Sequence, residues 1–204
     1  MLRRGFWLGV LAAILGSGGC GGSTVGHPGG HTLSGTTGGG NFVILDAIIA
    51  TTSTWTSSPN PGDSTMIILS TRGNLCGDIQ AHRTPADARF LLMYLAEIGA
   101  GTMSPITAPG AVPLGPNDAV VPPLSGFAFY TGVDAQCAAT TQLAQSGTVT
   151  LSAVGANGTS ASGSLAALFE DGSTLGGAFS ATADVACPTA VVDAWVNASS
   201  RSCS

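Results

Sequence analysis

The sequence predicts an all-β fold: an antiparallel meander of about seven to eight strands forming a sandwich or small barrel, after a disordered amino-terminal tether. Three observations predict it. Apolar and small polar residues alternate with period two through the carboxyl-terminal half. Asn157-Gly158 and Asp171-Gly172 fall between the alternating runs, where tight hairpin turns need φ > 0. Short strand-like runs separated by Pro- and Gly-containing turns occupy much of the remainder.

In chain order, Phe42–Ala50 and Thr65–Ser70 read as strands flanking a turn at Pro59-Asn60-Pro61-Gly62-Asp63. Residues 89–98 admit two readings. Thr84-Pro85-Ala86-Asp87 has the form of a helix start, with an N-cap, proline at N1 and an acid at N3, and Gly99 could end it. Phe90-Leu91-Leu92-Met93-Tyr94-Leu95 equally suits a strand buried on both faces, and the surrounding spacing favours strand. Ala108–Pro123, with five prolines, reads as a long loop carrying a short edge strand near Ala111–Leu114. Phe127–Val133 is the next strand. Gly147–Val154, Ser160–Phe169 and Thr174–Val185 follow, each alternating apolar with Ser or Thr.

The amino terminus carries a different signal. Arg3 and Arg4, an apolar run from Gly5 to Leu15, and the small residues Ser17-Gly18-Gly19 before Cys20 form a secretory signal peptide, residues 1–19. The apolar run is too short to cross about 30 Å of hydrocarbon as a helix. A cysteine at the cleavage point resembles the lipobox of bacterial lipoproteins. That resemblance implies acylation of Cys20, a membrane attachment through it, and, with Gly21 rather than Asp next, the outer membrane. Residues 20–40 then read as a Gly/Ser/Thr-rich flexible tether and residues 41–204 as a single all-β domain.

Composition excludes several functions. Hydrophobic residues make up 44% of the chain and charged residues 8%, so the body has apolar material for a core. Lysine is absent, and beyond the signal four arginines face eleven acids, a net charge near −7. No basic face is available for nucleic acid. An anionic membrane would repel this body, which leaves the acyl chains as its attachment.

Reactive constellations are sparse. No Gly-x-Ser-x-Gly elbow is present. His82 is the one histidine of the 41–204 body, so a hydrolytic triad would have to use it as base. Its segment, Asp78–Arg83, reads as a polar surface connection. Glu170-Asp171 reads as a solvated hairpin tip, and Asp63, Asp78 and Asp118 lack calcium-site spacing. His27 and His31 stand without a third ligand. Trp55, Tyr94, Tyr130 and Trp195 are candidates for a sugar-binding surface or for packing. The reading is a non-enzymatic binding or envelope-structural domain without metal or cofactor, partnered by the membrane and by an envelope protein or polysaccharide. The alternative is an exported hydrolase or carbohydrate-binding accessory using His82 or the aromatics.

Several local patterns occur together: Ile68-Leu69-Ser70 before Leu75-Cys76, Asp134-x-x-Cys137, and the final meander with its Leu-Gly-Gly-Ala-Phe-Ser-Ala run before Cys187. The set resembles the predicted surface lipoproteins of myxobacteria, a family whose likeness implies no particular activity. With Cys20 acylated, Cys76, Cys137, Cys187 and Cys203 are left to pair. Strand direction in an eight-strand meander favours Cys76–Cys187 with Cys137–Cys203. Without a strand near Ala111–Leu114, later strands reverse and Cys76 faces Cys137 instead.

Overall fold

The computed structural model describes residues 31–53, 62–116, 122–184, 186–196, 198 and 202–203. Along the chain lie β1 (Thr32–Gly35), β2 (Phe42–Val43), β3 (Asp46–Thr52), β4 (Ser64–Ser70), helix α1 (Leu75–Gln80), β5 (Arg83–Thr84) and β6 (Arg89–Gly99). They continue with β7 (Thr102–Pro105), β8 (Gly110–Leu114), β9 (Leu124–Val133), β10 (Ala139–Val154), β11 (Ser160–Phe169), β12 (Thr174–Thr182), helix α2 (Thr189–Val196) and β13 (Ser202–Cys203).

The alternating runs behave as their period requires. β10, β11 and β12 form an antiparallel meander in which Val149 pairs with Leu165, and Leu165 pairs in turn with Gly177. Asn157 and Gly158 occupy left-handed backbone (φ 56° and 67°) in the first turn. At the second turn the Asp171 carboxylate accepts the Ser173 N–H at 2.9 Å. These hydrogen bonds from Ser173 hold the Asp171 carboxyl below its usual range.

Eleven strands join one sheet, and its pairings run in a circuit. β3, β4, β6, β9, β10, β11 and β12 are successive antiparallel neighbours. β12 then returns to β3 through one parallel pair, Thr182 with Ile48. β8 corrects the edge-strand expectation. It lies within the sheet, antiparallel to β10 along Gly110–Leu114 and touching β9 in parallel at Leu114 and Gly126. β10 is long because its first part pairs with β9 and its later part with β8. The sheet is therefore mixed, although antiparallel pairs dominate.

Alternation along β4 and β6 divides the apolar side chains between two cores. Ile67, Leu69, Leu91 and Met93 join Leu33, Phe42, Val149, Leu165 and Phe179 in the first. Met66, Ile68, Phe90 and Tyr94 join the second, where Leu75 and Ile79 of α1 and Val192 and Trp195 of α2 cover them. That cover explains why all seven residues of β4 are buried and why 89–98 is a continuous apolar strand, the reading favoured from spacing. α1 is fastened to β3 by Asp46, whose buried carboxylate accepts the N–H of Ala47 and of Leu75, both at 2.8 Å.

Two further expectations are corrected. The stretch 31–40, assigned to the tether, belongs to the folded body: β1 lies between β12 and β2, with Leu33 wholly buried. Thr37 is buried too, its hydroxyl donating to the Thr174 carbonyl at 3.0 Å. The close approach needs Gly177, at φ 146°, where a Cβ would stand 2.7 Å from the Thr32 carbonyl oxygen. One leucine among Gly, Ser and Thr is too little apolar signal to reveal such a strand. Residues 20–30 lie outside the described residues. The second correction is Asp78–Arg83, read as a surface connection. Its first part is the end of α1, and Asp78 is buried against Arg83, Oδ1 to Nη2 at 3.0 Å.

Leu33→Ala should lower the unfolding free energy by about 2–5 kcal/mol, the cost of a large-to-small core substitution. Denaturant unfolding of the variant measures it, and a change near zero would return 31–40 to the tether.

Candidate functional site

The face of the sheet beside α2 is only partly covered, and a pocket of about 420 Å³ remains there. Period-two alternation supplies its floor and rim: Phe90, Leu92 and Tyr94 from β6, Phe129, Thr131 and Val133 from β9, and Ala139 and Thr141 from β10, with the threonines at the rim. α2 adds Trp195 and Val196, and Cys137 with Cys203 borders the space. The rings are fixed by one another. Tyr94 stacks on Phe127 with centroids 4.8 Å apart, and Phe129 meets Phe127 edge-on at 5.2 Å. Trp195 meets Phe90 edge-on at 5.9 Å and donates its Nε1–H to the Arg83 carbonyl at 2.9 Å.

Local turn chemistry presents the cysteine. Asp134 Oδ1 accepts the N–H of Gln136 at 2.9 Å and of Ala138 at 2.8 Å, which holds Cys137 in the left-handed region at φ 67°. Cys137 and Cys203 stand at disulfide distance, their Cα atoms 5.9 Å apart across a sequence separation of 66. β13 carries Cys203 there by pairing in parallel with β5, Ser202 beside Arg83 and Cys203 beside Thr84.

Chemically the pocket is neutral. Among the described residues it is lined by no carboxylate, imidazole or guanidinium. The hydroxyls of Thr131 and Thr141 are 3.1 Å apart and engage each other. Such a lining can exclude water from a ring-sized apolar group and offer it hydroxyl contacts at the rim. A second, more open cleft of about 450 Å³ holds Asp87, Arg89, Tyr130, Asp134 and Gln142. There Arg89 Nη2 donates to the Asn41 carbonyl at 2.8 Å, and the guanidinium lies 5.9 Å from the Phe42 ring centroid. Burial pushes the Tyr130 phenol up, against the opposing pull of Arg89.

The residues singled out from sequence scatter. His82 is exposed at φ 49°, its carbonyl accepting the Ser202 N–H at 3.2 Å. Among the described residues its imidazole meets neither a nucleophile nor a carboxylate, so no triad is assembled on it. Of the two readings of the aromatics, packing is the one the described rings follow: Tyr94, Tyr130 and Trp195 are buried, Tyr130 in the first core and the other two in the second. Glu170 and Asp171 stay at the hairpin tip. His31 contributes its backbone carbonyl to Ile44 at 2.8 Å. Among the described residues no three potential metal ligands cluster. Cys20, His27, Trp55 and Asp118 lie outside the described residues. The pocket's Phe90, Leu92, Phe129 and Thr131 were not marked from sequence, although alternate positions of two buried strands share a face by necessity.

No protein-family model matches the chain, and no curated protein or solved structure matches it.

Cys76 and Cys187, the other expected pair, are both buried and unbonded in the structure. They are neighbours: the Cys187 thiol lies 4.0 Å from the Cys76 carbonyl oxygen. Strand direction does not account for this proximity: β4 and β12 run in opposite directions on either side of β3, and α1 places Cys76 in a helical turn rather than at a strand end. Burial raises the pKa of both thiols, and for Cys187 the neighbouring Cys76 adds to the effect. In the native chain at pH 8, Cys76 and Cys187 should therefore resist iodoacetamide and become labelled only on unfolding. Peptide mapping reads this directly; rapid native labelling, or a Cys76–Cys187 disulfide peptide, would contradict it.

Proposed function

We propose that the chain is an exported, lipid-anchored β domain that binds a neutral, largely apolar ring-sized group of an envelope partner and performs no covalent chemistry on it. The observation that carries this reading is the pocket itself: rings of Phe90, Tyr94, Phe129 and Trp195 with threonine hydroxyls and no carboxylate, imidazole or guanidinium among its described lining. Acid–base catalysis near neutral pH relies chiefly on carboxylates and imidazoles, which are not among that lining. Binding needs only shape, water exclusion and a few polar contacts.

The export signal and the cysteine at position 20 support the anchor, as does the likeness to myxobacterial surface lipoproteins. Gly21 favours the outer membrane as its site. With the body held at a membrane, a pocket on the folded domain meets partners of the envelope, whether protein or polysaccharide.

Two measurements test the reading. Labelled palmitate should enter the wild type in its host and fail to enter Cys20→Ala. For the pocket, the neutral dye Nile red should brighten on titration with the wild type. Thr141→Trp, at an exposed rim position, should abolish that response by filling the space. Undiminished dye binding in the variant would remove the pocket from the proposal.

A further inference from the structure

The surface around the point where the chain enters the folded body has a composition unlike the rest. Among the described residues only Val43 (43% exposed), Leu45 (55%) and Leu168 (41%) are large exposed hydrophobics. Two of these three lie two residues apart on one short segment. That segment is where the amino-terminal chain arrives, since the Ile44 N–H, between them, donates to the His31 carbonyl at 2.8 Å.

Two arginines neighbour it along the chain fold. The Leu45 N–H donates to the Ser70 carbonyl at 2.9 Å, and the Arg72 N–H donates to the Ser70 hydroxyl at 3.0 Å, so exposed Arg72 is a close neighbour of Leu45. Arg89 reaches the Asn41 carbonyl, two residues before Val43. The third described arginine, Arg83, is engaged with Asp78. In a body with eleven acids, two of the three described arginines thus flank the exposed apolar pair.

We propose that Val43, Leu45 and Arg72 form a membrane-contacting surface, with the apolar pair dipping into the headgroup region and the arginine meeting lipid phosphate. The inference rests on the lipid-anchor reading. From Cys20 to His31 the chain has eleven residue steps, about 40 Å at full extension, so an acylated Cys20 keeps this end of the body near the bilayer. Charge then selects the orientation. The body as a whole is repelled by an anionic leaflet, and turning Arg72 toward the lipid sets a cation against the phosphates where the anchored end meets them. The apolar pair adds burial at the same place.

The test uses the full acylated protein reconstituted into phosphatidylglycerol vesicles with brominated acyl chains. Leu45→Trp and, as the comparison, Leu168→Trp each add one indole at an exposed position. Relative to the wild type, the emission added at position 45 should shift to the blue and be quenched more than that added at 168. Arg72→Gln should weaken the quenching at 45. Equal or reversed quenching in a chain that carries palmitate overturns this surface and leaves the anchor standing. Absence of palmitate from the wild type overturns the anchor, and the surface with it.

Discussion

The structure depends on covering the second face of four strands. β3, β4, β6 and β9 send one set of side chains into the core shared by nearly the whole sheet, and the alternate set outward as Ile48, Met66, Ile68, Phe90 and Tyr94. Left to water, that outward set would withdraw roughly 1.5–3 kcal/mol of stabilisation for each large side chain. α1 and α2 exist to cover it. Neither is long enough to persist alone, because an isolated helix of six or eight residues cannot offset its nucleation cost. Each is held by tertiary contacts. Asp46 receives the first N–H of α1, while Val192 and Trp195 insert from α2.

The functional geometry follows from the incompleteness of that cover. Two short helices cannot roof an eleven-residue strand and a ten-residue strand, so the outer ends of β6 and β9 stay partly open. Aromatic side chains needed for packing thereby become the walls of a pocket. Trp195 illustrates the economy: its ring closes the core against Phe90, and its indole N–H is already spent on Arg83. The pocket is consequently apolar by construction, with threonines confined to its rim.

How much of this was legible in the sequence depends on the source of each element's stability. β10, β11 and β12 announce themselves because their alternation and their Asn-Gly and Asp-Gly turns are local facts. β6 was legible as an apolar run, and its two-faced burial was among its two readings. α1 was not, since Gly77 and Asp78 give its six residues little helical propensity; the pairing of Leu75 with Ile79 at i, i+4 is the trace it leaves. β1 depends on Leu33, on Thr37 and on the glycine opposite, and each of these looks like linker composition when read in isolation. His82 and the aromatics show the same limit from the site's side. Residue type proposes chemistry, and only the fold decides that His82 faces solvent while Trp195 faces Phe90.

The Cys137–Cys203 pair decides whether the outer cover can last. β13 has two residues and one short partner, β5, so its own hydrogen bonds are a weak hold on the end of the chain. A bridge closing a loop of this length removes chain entropy from the unfolded state worth about 4 kcal/mol in the chain-entropy model. Its position matters as much as its size. It ties the segment after α2 to the turn between β9 and β10, at the border of the pocket, so the covalent restraint acts where the noncovalent cover is thinnest. The export proposed above favours this arrangement, because an oxidising compartment allows two cysteines to supply what a small apolar roof does not. The same division of labour accounts for the buried pair: Cys76 and Cys187 lie where α1 and the approach to α2 already pack against the core, and there packing holds the fold with the thiols free.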